Sequence, residues 1–140
     1  MSERRSRVLP IRSEPPDSIF FNRPSVEVTG HGSQLVFDGW GGRFFRASEE
    51  WVKDGCEKII QRYNLGEPLN YNDLYTAWNI ETTDFGGSRG WSPSADWKVD
   101  LAFIFTWCGP GSTLYSKFNE RVLLVEPDMD AHPFESYWEV

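Results

Sequence analysis

Histidine, cysteine and methionine are scarce in this chain, with two of each among 140 residues. Cys56 and Cys108 stand far apart, and neither belongs to a Cys-x-x-Cys pair. Two cysteines make no disulfide framework, so they read as reduced thiols, with a single bridge between them left open. His31 and His132 have no second ligand at metal spacing, so no metal site is expected. The longest apolar run, Leu101 to Trp107, falls far short of the ~20 residues a membrane-spanning helix needs. The first residues lack the apolar centre of a secretory signal. A soluble protein made in a cytoplasm, with no membrane segment, is the expectation.

Aromatic residues, by contrast, are plentiful: seven Trp, ten Phe and five Tyr, enough to exclude a disordered chain. The length suits one domain, which buries roughly 70% of its unfolded surface. Charge is divided unevenly. Residues 1–24 hold five arginines against Glu3, Glu14 and Asp17, a net of +2, and the remainder holds nine basic and eighteen acidic residues, a net of −9. Such an acidic body repels nucleic acid, so direct nucleic-acid binding is not expected.

Residues 1–24 read as an extended arm, because Pro10, Pro15, Pro16 and Pro24 forbid a continuous helix or a central strand. Residues 25–140 read as an α+β domain with an acidic C-terminal tail. Within it SVEVTG, QLVFD and RFFR, separated by GHGS and GWGG, predict an N-terminal antiparallel meander over 25–46. Ser48 followed by Glu49 and Glu50 predicts a helix start, and Asn64-Leu65-Gly66 its end. Trp51, Val52, Cys56, Ile59, Ile60 and Tyr63 give that helix one apolar face. A second helix is predicted over Tyr71–Trp78, capped by Asn70. Residues 80–97 read as a long loop. KVDLAFIFTW and RVLLVEP predict a C-terminal β-hairpin across a loop of about a dozen residues.

The spacing of reactive residues points to no chemistry. GHGS and CGPGS match no phosphate-binding fingerprint, and DFG at 84–86 lacks every other kinase motif. Glu126, Asp128 and Asp130 suit a solvated tail better than a cation site. Cys56 falls on an apolar helix face without a neighbouring base. No Ser-His-Asp arrangement is visible. An enzyme would require two or more of Asp84, Asp96, Asp100 and His31 to converge, and the expectation is a non-enzyme without cofactors.

Several aromatic residues sit where rings are normally covered by something: Phe20 and Phe21, Trp40 between glycines, Trp91, Tyr137 and Trp138. With Arg4, Arg5, Arg7, Arg12 and Ile19 they form the expected protein interface, since arginine and aromatic rings anchor interfaces. The same composition also suits an arm that folds back on its own domain or stays disordered.

SVEVTGHGSQLVFDGWGGRFFRASEE, LNYNDLYTAWNI, GWSPSADWKVDLAF and RVLLVEP, in that order over about residues 25–127, resemble a family of uncharacterised tailed-bacteriophage and prophage proteins. The shared features are Val28, Gly30 and Gly32 before a strand, the stretch Gly42 to Ala47 leading into a helix, Leu74-Tyr75, Gly90-Trp91 and the closing hairpin. Many members carry an apolar hairpin and a helical stalk where this chain has its arm, so no membrane role follows. The resemblance implies a phage context and no catalytic residue. The expected role is structural and virion-associated, in the capsid, connector or tail of an oligomeric assembly, with other phage structural proteins as partners and synthesis in the host bacterial cytoplasm. An alternative is a small acidic inhibitor that binds a host protein.

Overall fold

The computed structural model describes residues 25–92, 100–128 and 132–133. The α+β class is as expected: among these residues there are eight strands and four helices. Strands β1 (Val26–Val28), β2 (Leu35–Asp38), β3 (Arg43–Arg46), β6 (Phe103–Cys108) and β7 (Val122–Pro127) form one sheet in the order β1-β3-β2-β7-β6. Strands β4 (Leu69–Asn70), β5 (Arg89–Trp91) and β8 (His132–Pro133) form a smaller one.

β2 and β3 form the expected antiparallel pair, and β6 and β7 the expected C-terminal hairpin. β1 departs from a meander: it skips β2 and runs parallel to β3, with Val26 opposite Phe44. The reason lies between β1 and β2. Thr29 Oγ1 donates to the Arg46 carbonyl at 2.7 Å, and the Asn79 amide donates to the Thr29 carbonyl at 2.9 Å. These bonds hold the end of β1 at the outer edge of β3.

Helix α1 (Glu49–Asn64) begins where Ser48 Oγ accepts from the Trp51 amide at 3.1 Å. Gly66, at φ +96, follows its end. Helix α2 (Tyr71–Trp78) has a full capping box between Asn70 and Asp73. Both helices pack on one sheet face, burying Val52, Cys56, Ile59, Leu74 and Trp78 against Val36, Phe45, Leu123 and Val125.

Two short helices fall in segments expected to be loops: α3 (Asp84–Ser88) and α4 (Thr113–Phe118). α3 depends on tertiary support, because Asn72 of α2 both donates to the Thr83 carbonyl and accepts from the Thr83 amide. α4 lies on the other sheet face, where Leu114 and Phe118 pack on Leu35, Phe44 and Val122.

Candidate functional site

The most polar interior point is Asp38, at the end of β2 and 2% exposed. Its Oδ1 accepts from the Trp40 and Gly41 amides, each at 3.1 Å, as an aspartate does when it shapes a turn. Its Oδ2 accepts from the Tyr75 hydroxyl at 2.6 Å. The Arg43 guanidinium lies 4.7 Å from the centre of the Tyr75 ring. Burial raises the Asp38 pKa above the usual carboxylate value, against the lowering effect of these hydrogen bonds and of Arg43. Burial and the Asp38 charge also push the Tyr75 phenol upward. A Cβ on Gly41 would run into both Asp38 Oδ2 and the Tyr75 hydroxyl, so this space is filled. The carboxylate joins the turn after β2 to α2.

His31 lies in a turn, as expected, and its ring stacks on Trp51 with centroids 3.6 Å apart and planes 3° from parallel. Its carbonyl accepts from the Ser48 amide at 2.7 Å. Glu50, Asp54 and Ser48 line the shallow depression beside it. Among the described residues no three His, Cys, Asp or Glu side chains gather as a metal site would require. No helix among them is long and apolar enough to cross a membrane.

The second sheet face is more informative. Partners in register share a face, so the row Val26, Phe44, Phe37, Leu124, Thr106 crosses the sheet on the α4 side. The neighbouring row, Val28, Arg46, Leu35, Val122 and Cys108, lies at the end α4 covers. At the opposite end Phe37 and Leu124 are half-buried, and Ile104, beside Glu126, is 44% exposed. Phe37 packs on the same cluster as Leu114 and Phe118 of α4, so among these three residues Ile104 alone stands well exposed. β6 is an edge strand, FIFTWC, that carries neither charge nor proline to blunt pairing.

Two expected interface residues pack on the core. Trp91 is fully buried, edge-on to Tyr71 at 5.0 Å and to Phe103 at 6.3 Å. Gly90 before it lets β5 approach β4 closely, since a Cβ there would strike the Leu69 carbonyl. Trp40 is half-buried, packs on the core and lies 6.1 Å from Tyr71. Both sit in stretches that read as loops in the sequence, and the neighbouring Gly41 and Gly90 here serve close packing. Arg4, Arg5, Arg7, Arg12, Ile19, Phe20, Phe21, Tyr137 and Trp138 lie outside the described residues. Of the convergent set an enzyme would need, Asp96 also lies outside them.

Sequence reading missed Phe37, Leu124 and Ile104 as surface residues. The signal was present: LVF and VLLV are apolar on both faces, as strands buried on both sides are. Among the described residues, the helix on one of those faces is the six-residue α4.

Compared with family models, with curated proteins and with solved structures, the chain matches none.

Proposed function

We propose that this chain is a non-enzymatic structural component of a tailed-bacteriophage particle, in the capsid, connector or tail, and that its N-terminal arm makes contacts between subunits. The observation that carries this reading is the pairing of a basic, aromatic arm of net +2 with an acidic body of net −9. Opposite charges steer such parts together. Ile104, 44% exposed on the second sheet face, adds apolar surface of the kind that packs on a neighbour. The order of motifs over residues 25–127 supplies the phage context.

The inhibitor alternative finds less support. An inhibitor of a basic groove needs an unbroken acidic track, and on α1 Lys53 interrupts one by pairing with Glu49 at 2.9 Å.

The test is mass spectrometry of purified particles, with copy number set against the major capsid protein. Copies in a fixed ratio to that protein are expected. A chain with residues 1–24 deleted is expected to stay folded and to be lost from particles. Absence of the full chain from particles would overturn the reading, and normal incorporation of the truncated chain would overturn the arm's part in it.

A further inference from the structure

The two edges of the larger sheet are unlike. β1 is three residues long and carries Glu27, which accepts from Arg43 at 2.8 Å and from the Glu81 amide at 2.6 Å. β6 is six residues long and carries no charge and no proline. Among the described residues no strand pairs with its outer side. Its side chains are open as well: Ile104 is 44% exposed and Trp107 39%.

Two hydrogen bonds show which backbone groups of β6 face outward. The Ala102 carbonyl accepts from the Asp128 amide at 2.8 Å, directly across the hairpin. Bonded and non-bonded pairs alternate in an antiparallel ladder, so Ile104, Thr106 and Cys108 turn their amides and carbonyls to β7. The Val125 carbonyl, opposite Phe105, accepts instead from the Gly39 amide, just past β2, at 2.9 Å. Phe103, Phe105 and Trp107 therefore turn their amides and carbonyls off the edge of the sheet. Their side chains share the face that α1 and α2 cover, where Phe103 and Phe105 pack on the core.

A second strand fits here when its own outward groups meet these three. β6 of another copy does so when it runs antiparallel with Phe105 opposite Phe105, since Phe103 then faces Trp107 on both sides. A shift of two residues carries one of the three past the end of the strand. The same alignment sets aromatic rings against aromatic rings, and Ile104 against exposed Thr106 on the other face. A two-fold contact also brings each charge near its axis against its own copy. β6 has none, and Lys53, 5.3 Å from the centre of the Phe105 ring, is already paired with Glu49 at 2.9 Å. At the ends of the strand the charges are complementary. Arg121 lies 4.3 Å from the centre of the Trp107 ring, and that end adjoins the residues before Phe103 of the other copy, Asp100 among them.

We propose that β6 is a dimerisation edge: two copies of this chain join β6 to β6, antiparallel about a two-fold axis at Phe105, and their five-stranded sheets become one. The inference rests on the edge strand and goes beyond the particle role.

The test uses the full chain. One strand pair lies at the small end of specific interfaces, so association is followed by sedimentation velocity from about 1 µM to about 1 mM. The expected result is a reversible rise from the monomer mass to twice that value and no further. Amide hydrogen exchange, read by mass spectrometry with residue-resolving fragmentation, locates the contact. In dilute protein the Thr106 amide is protected and the Phe105 amide is not; at high concentration both are protected. Thr106→Lys, at an exposed position of the edge, raises Kd by about tenfold or more in a chain whose circular dichroism is native. A monomer mass at every concentration, growth beyond the dimer, a Phe105 amide protected in the monomer or unprotected in the dimer, or an unchanged Kd in the variant would each overturn the proposal. A dimer formed by a chain absent from phage particles would uphold this edge and overturn the particle role alone.

Discussion

The Tyr75 hydroxyl donates a 2.6 Å hydrogen bond to Asp38 Oδ2, joining the centre of the sheet to helix α2 in the interior. Tyr75→Phe leaves the buried oxygen short of a donor. The expected loss is about 1–3 kcal/mol in urea unfolding, the usual cost of an unpaired buried acceptor. A loss below a few tenths would mean that water replaces the hydroxyl.

The same carboxylate predicts a pH dependence. Its folded pKa is raised above 3.8 by burial, so between the unfolded and folded values the folded state keeps a proton that the unfolded state has released. Its contribution to stability is therefore fully present below the unfolded pKa and is lost as pH rises through the folded pKa. Asp38→Asn removes this dependence. The variant should gain stability relative to the native chain as pH rises from about 4 toward neutrality, measured as the difference between two urea midpoint series. A constant difference across that range would refute it.

Gly55 sets two opposing effects against each other. In an exposed helix, Gly→Ala stabilises by about 1 kcal/mol. Here a Cβ would lie 2.5 Å from Trp78 Cδ1, and the Trp78 indole N–H donates to the Val52 carbonyl at 3.0 Å. Overpacking costs about 1–3 kcal/mol, so Gly55→Ala should be net destabilising. A raised melting temperature would show that Trp78 moves aside freely.

The two thiols should label separately. Cys56 is 2% exposed, and burial pushes its thiol well above the usual range, while Cys108 is half-exposed at the end of β6. A thiol reagent should modify one cysteine in the native protein and the second only at the unfolding rate. Cys108→Ser should abolish the fast phase.

Local chemistry made α1 and α2 legible. Ser48 and Asn70 accept hydrogen bonds at their helix starts, and Gly66 follows the first helix at positive φ. The hairpin of β6 and β7 was legible from its two apolar runs. The rest depended on distant partners. α3 contains Gly86 and Gly87, poor helix formers, and forms because Thr83 caps it and Asn72 holds Thr83. A Cβ on Gly86 would strike the Asn72 side chain, so the residue that hid the helix is the one its packing requires. The parallel course of β1 rests on Thr29 meeting Arg46 and Asn79, residues far apart in sequence. As for the candidate surface, two-sided apolar strands signalled it, but only the packing of α4 shows, among the described residues, how much of that side is covered.

The central position of β2 has a consequence in time. Leu35 pairs with Val122 and Asp38 with Val125, so the middle strand waits for residues near the far end of the chain. During synthesis, at roughly 5–20 residues per second, β2 and β3 emerge seconds before the strand that completes them. Until then Val36 and Phe45 have the helices but not β7. The nascent chain exposes a sheet edge for that interval, and a ribosome stalled before Val122 would release a product prone to pair with other chains.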